Sequence, residues 1–497
     1  MKKKFFITTP IYYANSVPHI GHAYSSLIAD VIARYKRDNW FDVKFSTWVD
    51  ENWQKMVNAA KEKWISIMEF LDDIATKQKA VWDWIDISYT DFIRTTELRH
   101  HEFVSEVLQK TYDAWDIYKW EYEWLYCVWC EAFKKETDLT PDWLCPDHLK
   151  KPEHIKEKNY FFKLSKYQKQ LEDFYLNNPD FTIPNNRFKE MQSFLKEWLE
   201  DFSISRETNK FWIPLPFDPS QVTYVWYDAL LNYLTVCQNW AEDFWPADLH
   251  VVGKEIARFH VIYWPAMLLS AWYELPKNVL VTWFITIDWQ KISKSIWNVI
   301  DPVEFSGRHS RDLMLLYLLS TFPIWQDWDF SEAQAILMYN AKLANNIGNL
   351  LNRFLVLGDK FFWKDEISGK LNENIEDKRS DLIQKYFENM NNYILKDSLE
   401  IVFEFWDALN KFLDETKPWN KNIETDKEEL RDIMFTLWEW LRTIAILLHP
   451  FFYKKMTEIF SRIWLDYSID ENEMKKLLDK IEGFTIKEKW DALYPRI

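Results

Sequence analysis

Glycine is nearly missing from this chain, with 7 residues in 497, while tryptophan reaches 30. Ordinary proteins hold roughly 7% glycine. Asn-Gly and Asp-Gly, the dipeptides that best satisfy the two positive φ angles of a type I′ hairpin turn, do not occur at all. Asn/Asp-Trp pairs stand in their place, ending at Trp40, Trp53, Trp84, Trp143, Trp240, Trp289 and Trp328. The pair Asp288-Trp289 sits between FITI and QKIS, where a hairpin turn is expected, and a bulky residue at positive φ is strained. The pattern implies that many of these tryptophans are glycine codons, UGA read as glycine, rendered as tryptophan.

Cysteine is scarce as well. Cys127, Cys130 and Cys145 are clustered and Cys237 is alone, which does not make a disulfide framework. No run approaches the roughly 18 apolar residues of a membrane helix. The basic start, MKKKFFITTPIYY, lacks a signal-peptide core because Thr8, Thr9 and Pro10 interrupt it. A cytoplasmic protein with no membrane partner is expected. Positive charge is in deficit, 61 Lys+Arg against 77 Asp+Glu, for a net −16. That balance argues against a polyanion partner unless the basic residues gather on one face.

What is present is ordinary globular material, 48% hydrophobic and 28% charged, in a length suited to several domains. Residues 4–9 are a β-prone run, Ala23 to Arg37 has helical periodicity, and 43–49 reads as the next strand. Strand, loop, helix, strand opens a doubly wound, Rossmann-like parallel α/β sheet. From 117 to 212 the pattern changes and reads as an insertion, so the sheet is split, with halves at 1–116 and 213–290. Short β runs resume at 222–227 and 249–252, and a helix signal returns at 254–271. A connecting region covers 291–335. Amphipathic helices then dominate 336–497, an α-helical bundle domain broken by a polar loop near 364–380.

Four constellations carry chemistry. His19-Ile20-Gly21-His22 precedes the first helix, whose N-terminal N–H groups and positive dipole end suit a phosphate. Taken alone, these could be two loop histidines. Lys291-Ile292-Ser293-Lys294-Ser295 puts two mobile point charges on a small loop, fit to follow a pyrophosphate, although lysine-serine runs are common on solvated loops. Cys127-x2-Cys130 and Cys145-x2-His148 form two knuckles that fit tetrahedral zinc; four protein ligands make the site structural. Asn345, Asn349 and Arg353 repeat every four residues, which places them on one helical face. Such a stripe is more often solvated than functional.

HIGH followed by KISKS, in order and well separated, resembles the paired signatures of class I aminoacyl-tRNA synthetases. ITTPIYYANSVPHIGHAYSSLIADVIARYKR, YCVWCEAF, NYFFKLSKYQ, VTYVWYDALLNYLT, FWPADLHVVGKEIARFHVIYWPAML and DWQKISKSIWNVIDP resemble the methionyl-tRNA synthetase family in particular. The insertion is too short for the editing domain of the leucyl, isoleucyl and valyl enzymes. Trp48, Trp53, Trp115, Trp120, Trp124, Trp289 and Trp297 fall where that family has glycine, whereas Trp226, Trp245, Trp264 and Trp419 fall where it has tryptophan.

The resemblance implies a methionine–tRNA ligase that makes methionyl-adenylate and charges tRNA(Met). It implies His19, His22, Lys291 and Lys294 as catalytic, and Gly21, Gly253 and Lys254 with His19, His22 and Lys294 around ATP and its Mg2+. Ile11, Tyr13, Asp50, Trp226, Ala229, Tyr233, Ile256 and His260 would form the methionine pocket, Asp50 holding the ammonium. An apolar, aromatic wall suits a thioether. Zn2+ would sit on Cys127, Cys130, Cys145 and His148. Asn345, Asn349, Arg353 and a stacking Trp419 would read the anticodon. A monomer is expected, since the chain ends soon after the helical domain. Two departures stand out: Asp50-Glu51-Asn52-Trp53 replaces the family's Asp-Glu-His-Gly, and Ile292 replaces methionine. They leave a rival, a catalytically inert tRNA-binding paralogue, against which the intact HIGH and KISKS count.

Overall fold

The structure is a computed structural model. It describes residues 2–14, 17–52, 54–127, 132–134, 139–146, 150–185, 193, 195, 198–207, 212–292, 298–362, 365–463, 474–479, 483–485 and 493–496. Trp53, Cys130, His148, Lys294 and Trp297 lie outside the described residues.

The central element is a seven-stranded parallel sheet. Its strands are β1 (Lys3–Thr8), β2 (Tyr12–Tyr13), β3 (Phe41–Asp50), β4 (Asp91–Arg94), β5 (Thr182–Ile183), β6 (Leu249–Gly253) and β7 (Val279–Thr282). The path runs β2-β3-β1-β6-β7-β5, with β4 also paired to β3. β1 lies between β3 and β6, so the chain order reverses beside it, and the crevice at the carboxyl ends there is the ligand position of open α/β sheets. β1 and β6 alternate their side chains between two cores: Phe5, Ile7 and Val251 on one face, Phe6 and Val252 on the other. α1 (Ile20–Asp38) covers the first face and buries Leu27, Ile28, Val31 and Ile32.

Residues of the 117–212 segment build a four-stranded antiparallel sheet around Ile117–Cys127 and Glu153–Phe162. β5 comes from the same segment yet pairs with β7, so the segment also supplies the outer strand of the main sheet. Two readings need correction. The run 222–227 is not a strand throughout: a strand ends at Thr223 and α2 (Val225–Thr235) begins at once. Trp226, Ala229 and Tyr233 therefore share a helix. The 254–271 helix signal resolves into a π-turn, Phe259–Tyr263, running into Trp264–Ser270. The polar loop near 364–380 is shorter than expected, because a helix starts at Glu373.

The C-terminal helices pack on α1. His449 Nδ1 lies 2.7 Å from Asp38 Oδ2, and Arg311 donates to Asp30 at 2.9 Å. Burial raises the cost of the Asp30 charge, but Arg34, Arg311 and Ser88 outweigh it and hold the carboxyl below its usual range.

The turns bear on the tryptophans. Non-glycine residues at positive φ include Trp40, Trp64, Trp115, Trp143, Trp272 and Trp289, at 57° to 65°, whereas no described glycine has a positive φ. Trp64, Trp115 and Trp272 each follow a helix in the left-handed C′ position. Behind each, the next N–H reaches back: Ile65 to Ala60 O (3.2 Å), Asp116 to Thr111 O (3.2 Å) and Tyr273 to Leu268 O (2.9 Å). That is the Schellman motif, whose C′ residue is usually glycine. Asp288 and Trp289 are both at positive φ between the paired Ile287 and Gln290, which makes a type I′ turn.

Candidate active site and anticodon face

His19 caps α1. Its Nδ1 accepts from the Gly21 N–H and His22 Nδ1 accepts from the His19 N–H, both at 3.1 Å, closing a reciprocal box. The two rings stack 3.8 Å apart. With Nδ1 accepting on both rings, the neutral tautomer carries its proton on Nε2, the donor that a phosphate needs. A side chain on Gly21 would meet the His19 ring at 3.0 Å and Ile292 at 3.8 Å. The two signature motifs therefore meet over Gly21, and Ile292 is the buried contact between them. Lys291 is exposed, its Nζ 5.0 Å from the Phe284 ring. Gly253 ends β6, and Lys254 follows with its Nζ on both Asp327 oxygens at 2.7 and 2.6 Å.

The residues expected around methionine converge at the carboxyl ends of β2, β3 and β6. Trp226 stacks on Phe259 at 3.6 Å and stands edge-on to Tyr13 at 6.5 Å. Ile11, Ala229, Tyr233, Ile256 and His260 are buried. His260 Nδ1 lies 3.0 Å from the Ile256 carbonyl, an acceptor only, so Nδ1 carries the proton and Nε2 accepts from the Tyr233 hydroxyl at 2.8 Å. Burial pushes the His260 pKa down to about 4, so the ring is neutral at physiological pH. Asp50, at the end of β3, is fully buried, and its Oδ1 accepts from the Asn52 N–H at 3.0 Å. Burial, with Glu51 adding repulsion, raises its pKa to about 8.

Sequence reasoning missed four neighbours of this site: Phe259, Asp228, Trp212 and His250. Phe259 lies in the quoted KEIARFH, one residue before His260, and only the stack reveals it. Asp228 accepts from Asn52 Nδ2 at 3.0 Å and from the Trp212 indole, a contact between segments no local pattern joins. His250 lies 2.8 Å from Thr8 Oγ1 and holds Tyr233 from behind, with ring centroids 4.4 Å apart.

Cys127 closes the strand Ile117–Cys127 and Cys145 lies in an irregular segment, its N–H donating to Lys150 O at 2.8 Å; both are buried. Two thiols held inside paired backbone fit the first ligand of each knuckle, the donor types zinc prefers. Cys130 and His148 lie outside the described residues, and among the described residues no group of three potential metal ligands is assembled.

Asn345 sits in a π-helical stretch, Asn340–Gly348, which runs directly into α3 (Asn349–Phe361) carrying Asn349 and Arg353. Asn345 and Asn349 are exposed and line a groove of about 350 Å³ with Asn352, Tyr494 and Arg496. Arg496 donates to Asn345 Oδ1 at 2.9 Å, and Arg353 stands 3.7 Å from Asp414. Trp419 projects from the turn Pro418–Asn420, 41% exposed.

With this geometry in place, similarity decides the family. The family described as tRNA synthetases class I (M) matches residues 5–151 and 145–355, and the anticodon-binding domain of tRNA ligase matches 372–489. The methionine–tRNA ligase of Caldanaerobacter subterraneus subsp. tengcongensis is 39% identical, over 100% of this chain and 79% of its own length. The chain belongs to the methionyl-tRNA synthetase family. The Thermotoga maritima ligase is 38% identical over 99% of the chain and 78% of its own length. Mycobacterium tuberculosis methionyl-tRNA synthetase in complex with methionyl-adenylate superposes with a TM-score of 0.94 at 30% identity, covering 99% of this chain and 100% of that one. Among the described residues, no helix is long and apolar enough to cross a membrane.

Proposed function

We propose that the chain is a methionine–tRNA ligase: it activates L-methionine with ATP to methionyl-adenylate and pyrophosphate, then transfers methionine to the 3′-terminal adenosine of tRNA(Met). Relatedness to such ligases over essentially the whole of this chain carries the activity. The geometry supports a working site rather than an inert paralogue. The His19/His22 cap, Ile292 over Gly21 and the Trp226–Phe259 stack all lie at one carboxyl edge of the sheet.

ATP arrives as its Mg2+ complex. The methionine ammonium faces Asp50, the thioether lies among Ile11, Tyr13, Trp226, Ala229, Tyr233, Ile256 and His260, and the carboxylate attacks the α-phosphate in line. His19, His22, Lys291 and Lys294 stabilise the charge that develops, with Gly21, Gly253 and Lys254 beside the nucleotide. Positioning and electrostatics carry the rate, because no protein nucleophile is required. Transfer follows when the terminal ribose hydroxyl attacks the adenylate carbonyl. Asn345, Asn349, Arg353 and Trp419 read the anticodon through amide, guanidinium and stacking contacts.

The test is methionine-dependent ATP–pyrophosphate exchange together with charging of tRNA(Met). Exchange driven equally well by leucine or cysteine would overturn the substrate. Zinc would be held by Cys127, Cys130, Cys145 and His148, where it would fold the insertion. Elemental analysis is expected to find zinc that Cys145→Ser releases, and a metal-free protein from a chelator-free preparation would overturn that site.

A further inference from the structure

We infer that Asp228 is a positioning residue for Asp50: the two carboxylates form one buried acid pair, bridged by Asn52, that gives up a proton when the methionine ammonium enters. The inference rests on the ammonium site proposed above. Asn52 spans the pair, with its N–H on Asp50 Oδ1 and its amide nitrogen on Asp228 Oδ2, each at 3.0 Å. Both carboxylates are fully buried, and Asp50 Oδ2 and Asp228 Oδ1 find no hydrogen-bond partner among the described residues.

The surrounding charges do not neutralise the pair. Glu51 lies beside Asp50, but its carboxylate is held by Arg94 at 2.8 Å, and that guanidinium also serves Asp72. His100, behind Asp228, is driven down to about 3 by burial, and His101, edge-on to Trp212 at 5.7 Å, is lowered for the same reason. Neutral donors, the Asn52 amide groups and the Trp212 indole, are all that offset the two charges, and two buried carboxylates without a cation cannot both stay ionised in such a place. Burial raises both acids, and the Asp50 charge adds to the rise on Asp228. They titrate as a unit. A substrate ammonium donating to the open Asp50 oxygen supplies the missing cation, and the displaced proton leaves to solvent. Asn52 suits this arrangement because its amide stays neutral, where an imidazole could take up the proton itself.

Methionine titrations by calorimetry at pH 7, in buffers of different ionisation enthalpy, are expected to show net proton release. Affinity is expected to rise with pH until the amino acid itself deprotonates. In Asp228→Asn the neighbour is permanently neutral, the state that the Asp50 charge imposes on Asp228, and its amide oxygen still accepts from Asn52, so proton release and the pH profile are expected to be kept. Asp228→Ala leaves the Asn52 amide without that acceptor and is expected to weaken methionine binding about tenfold, a loss that the asparagine variant does not show. No proton release by the unmodified chain, or proton release lost in Asp228→Asn, would overturn the pairing. Full methionine affinity in Asp50→Asn would instead overturn the ammonium site beneath it.

A second inference stands on the turns alone. The structure assigns glycine to Trp40, Trp64, Trp115, Trp143, Trp272 and Trp289 in the native protein. All six are at positive φ, and Trp64, Trp115, Trp143, Trp272 and Trp289 are 52–95% exposed, so the indole gains little by being there. Trp264, Trp406 and Trp438 are buried and absent from that set, as true tryptophans should be. Peptide mass spectrometry of protein from the native organism is expected to find glycine after Asp288, and tryptophan there would overturn the assignment.

Discussion

In the proposed methionine pocket, every side chain assigned to substrate except Tyr13 is buried, and the polar ones are already fixed: His260 by a carbonyl and a hydroxyl, Asp50 by the Asn52 N–H. On the face proposed to read the anticodon, Asn345, Asn349 and Trp419 are exposed, and Arg353 stands 3.7 Å from its acidic neighbour. A buried site of this kind would recognise a small ligand by desolvation, so each of its polar groups would carry a large penalty when wrongly paired. An exposed face would meet bases that arrive already hydrated, so each contact proposed there would be worth less and be more easily replaced.

The hardest test of this contrast removes the ammonium partner. Asp50→Ala leaves a buried cation unpaired, at a cost of about 3–5 kcal/mol. Methionine-dependent exchange is expected to fall by roughly two to four orders of magnitude while circular dichroism and tRNA binding persist. Retained exchange would mean that the pocket tolerates an unpaired charge as the exposed face does.

Acid should separate the two regions as well. His100 lies behind the pocket with a folded pKa of about 3, against an unfolded value near 6.5. The unfolded chain takes up a proton there first, so this stability is complete above about pH 6.5 and is lost as pH falls toward 3. Between pH 7 and 5 the loss amounts to about 2 kcal/mol. Asp50 runs the other way: its raised pKa contributes stability at low pH that is lost as pH climbs toward 8. The informative quantity is therefore the difference between the chain and His100→Gln in urea unfolding at the two pH values. An unchanged difference would mean that His100 is solvated in solution.

On the exposed face, Trp419→Ala or Arg353→Ala is expected to weaken tRNA charging by about 1–3 kcal/mol, the worth of a lost stack or base contact, with exchange nearly intact. Equal loss of both activities would merge the two regions into one site.

How much of this was legible follows the same division. The β1–loop–α1 opening could be read because apolar periodicity over Ala23 to Arg37 is local and strong. The 222–227 run misled because Val, Thr, Tyr and Trp favour strands in isolation, whereas packing in the second core makes Val225–Thr235 a helix. The block match supplied the residues proposed for the pocket, but Asn52 and Trp212 meet Asp228 only through tertiary structure. Helix ends were hard to place because tryptophan occupied the C′ positions where glycine normally announces them.

Those C′ positions supply the control for the whole comparison, since Trp64, Trp115 and Trp272 line neither region. A left-handed residue other than glycine costs about 1–2 kcal/mol, so glycine there should stabilise the chain by about 1 kcal/mol and leave exchange and charging unchanged. The gain should be largest at Trp64, which is 95% exposed and has least packing to lose. It should be smallest at Trp272, whose ring has Lys110 Nζ 5.4 Å from its centroid. That cation–π contact, about 0.5–1 kcal/mol at an exposed site, offsets part of the relief. Urea midpoints for Trp64→Gly, Trp115→Gly and Trp272→Gly give the order directly. A destabilised Trp64→Gly would show that the indole contributes more than the backbone strain costs. A change in exchange or charging would tie the turns to the regions from which their positions separate them.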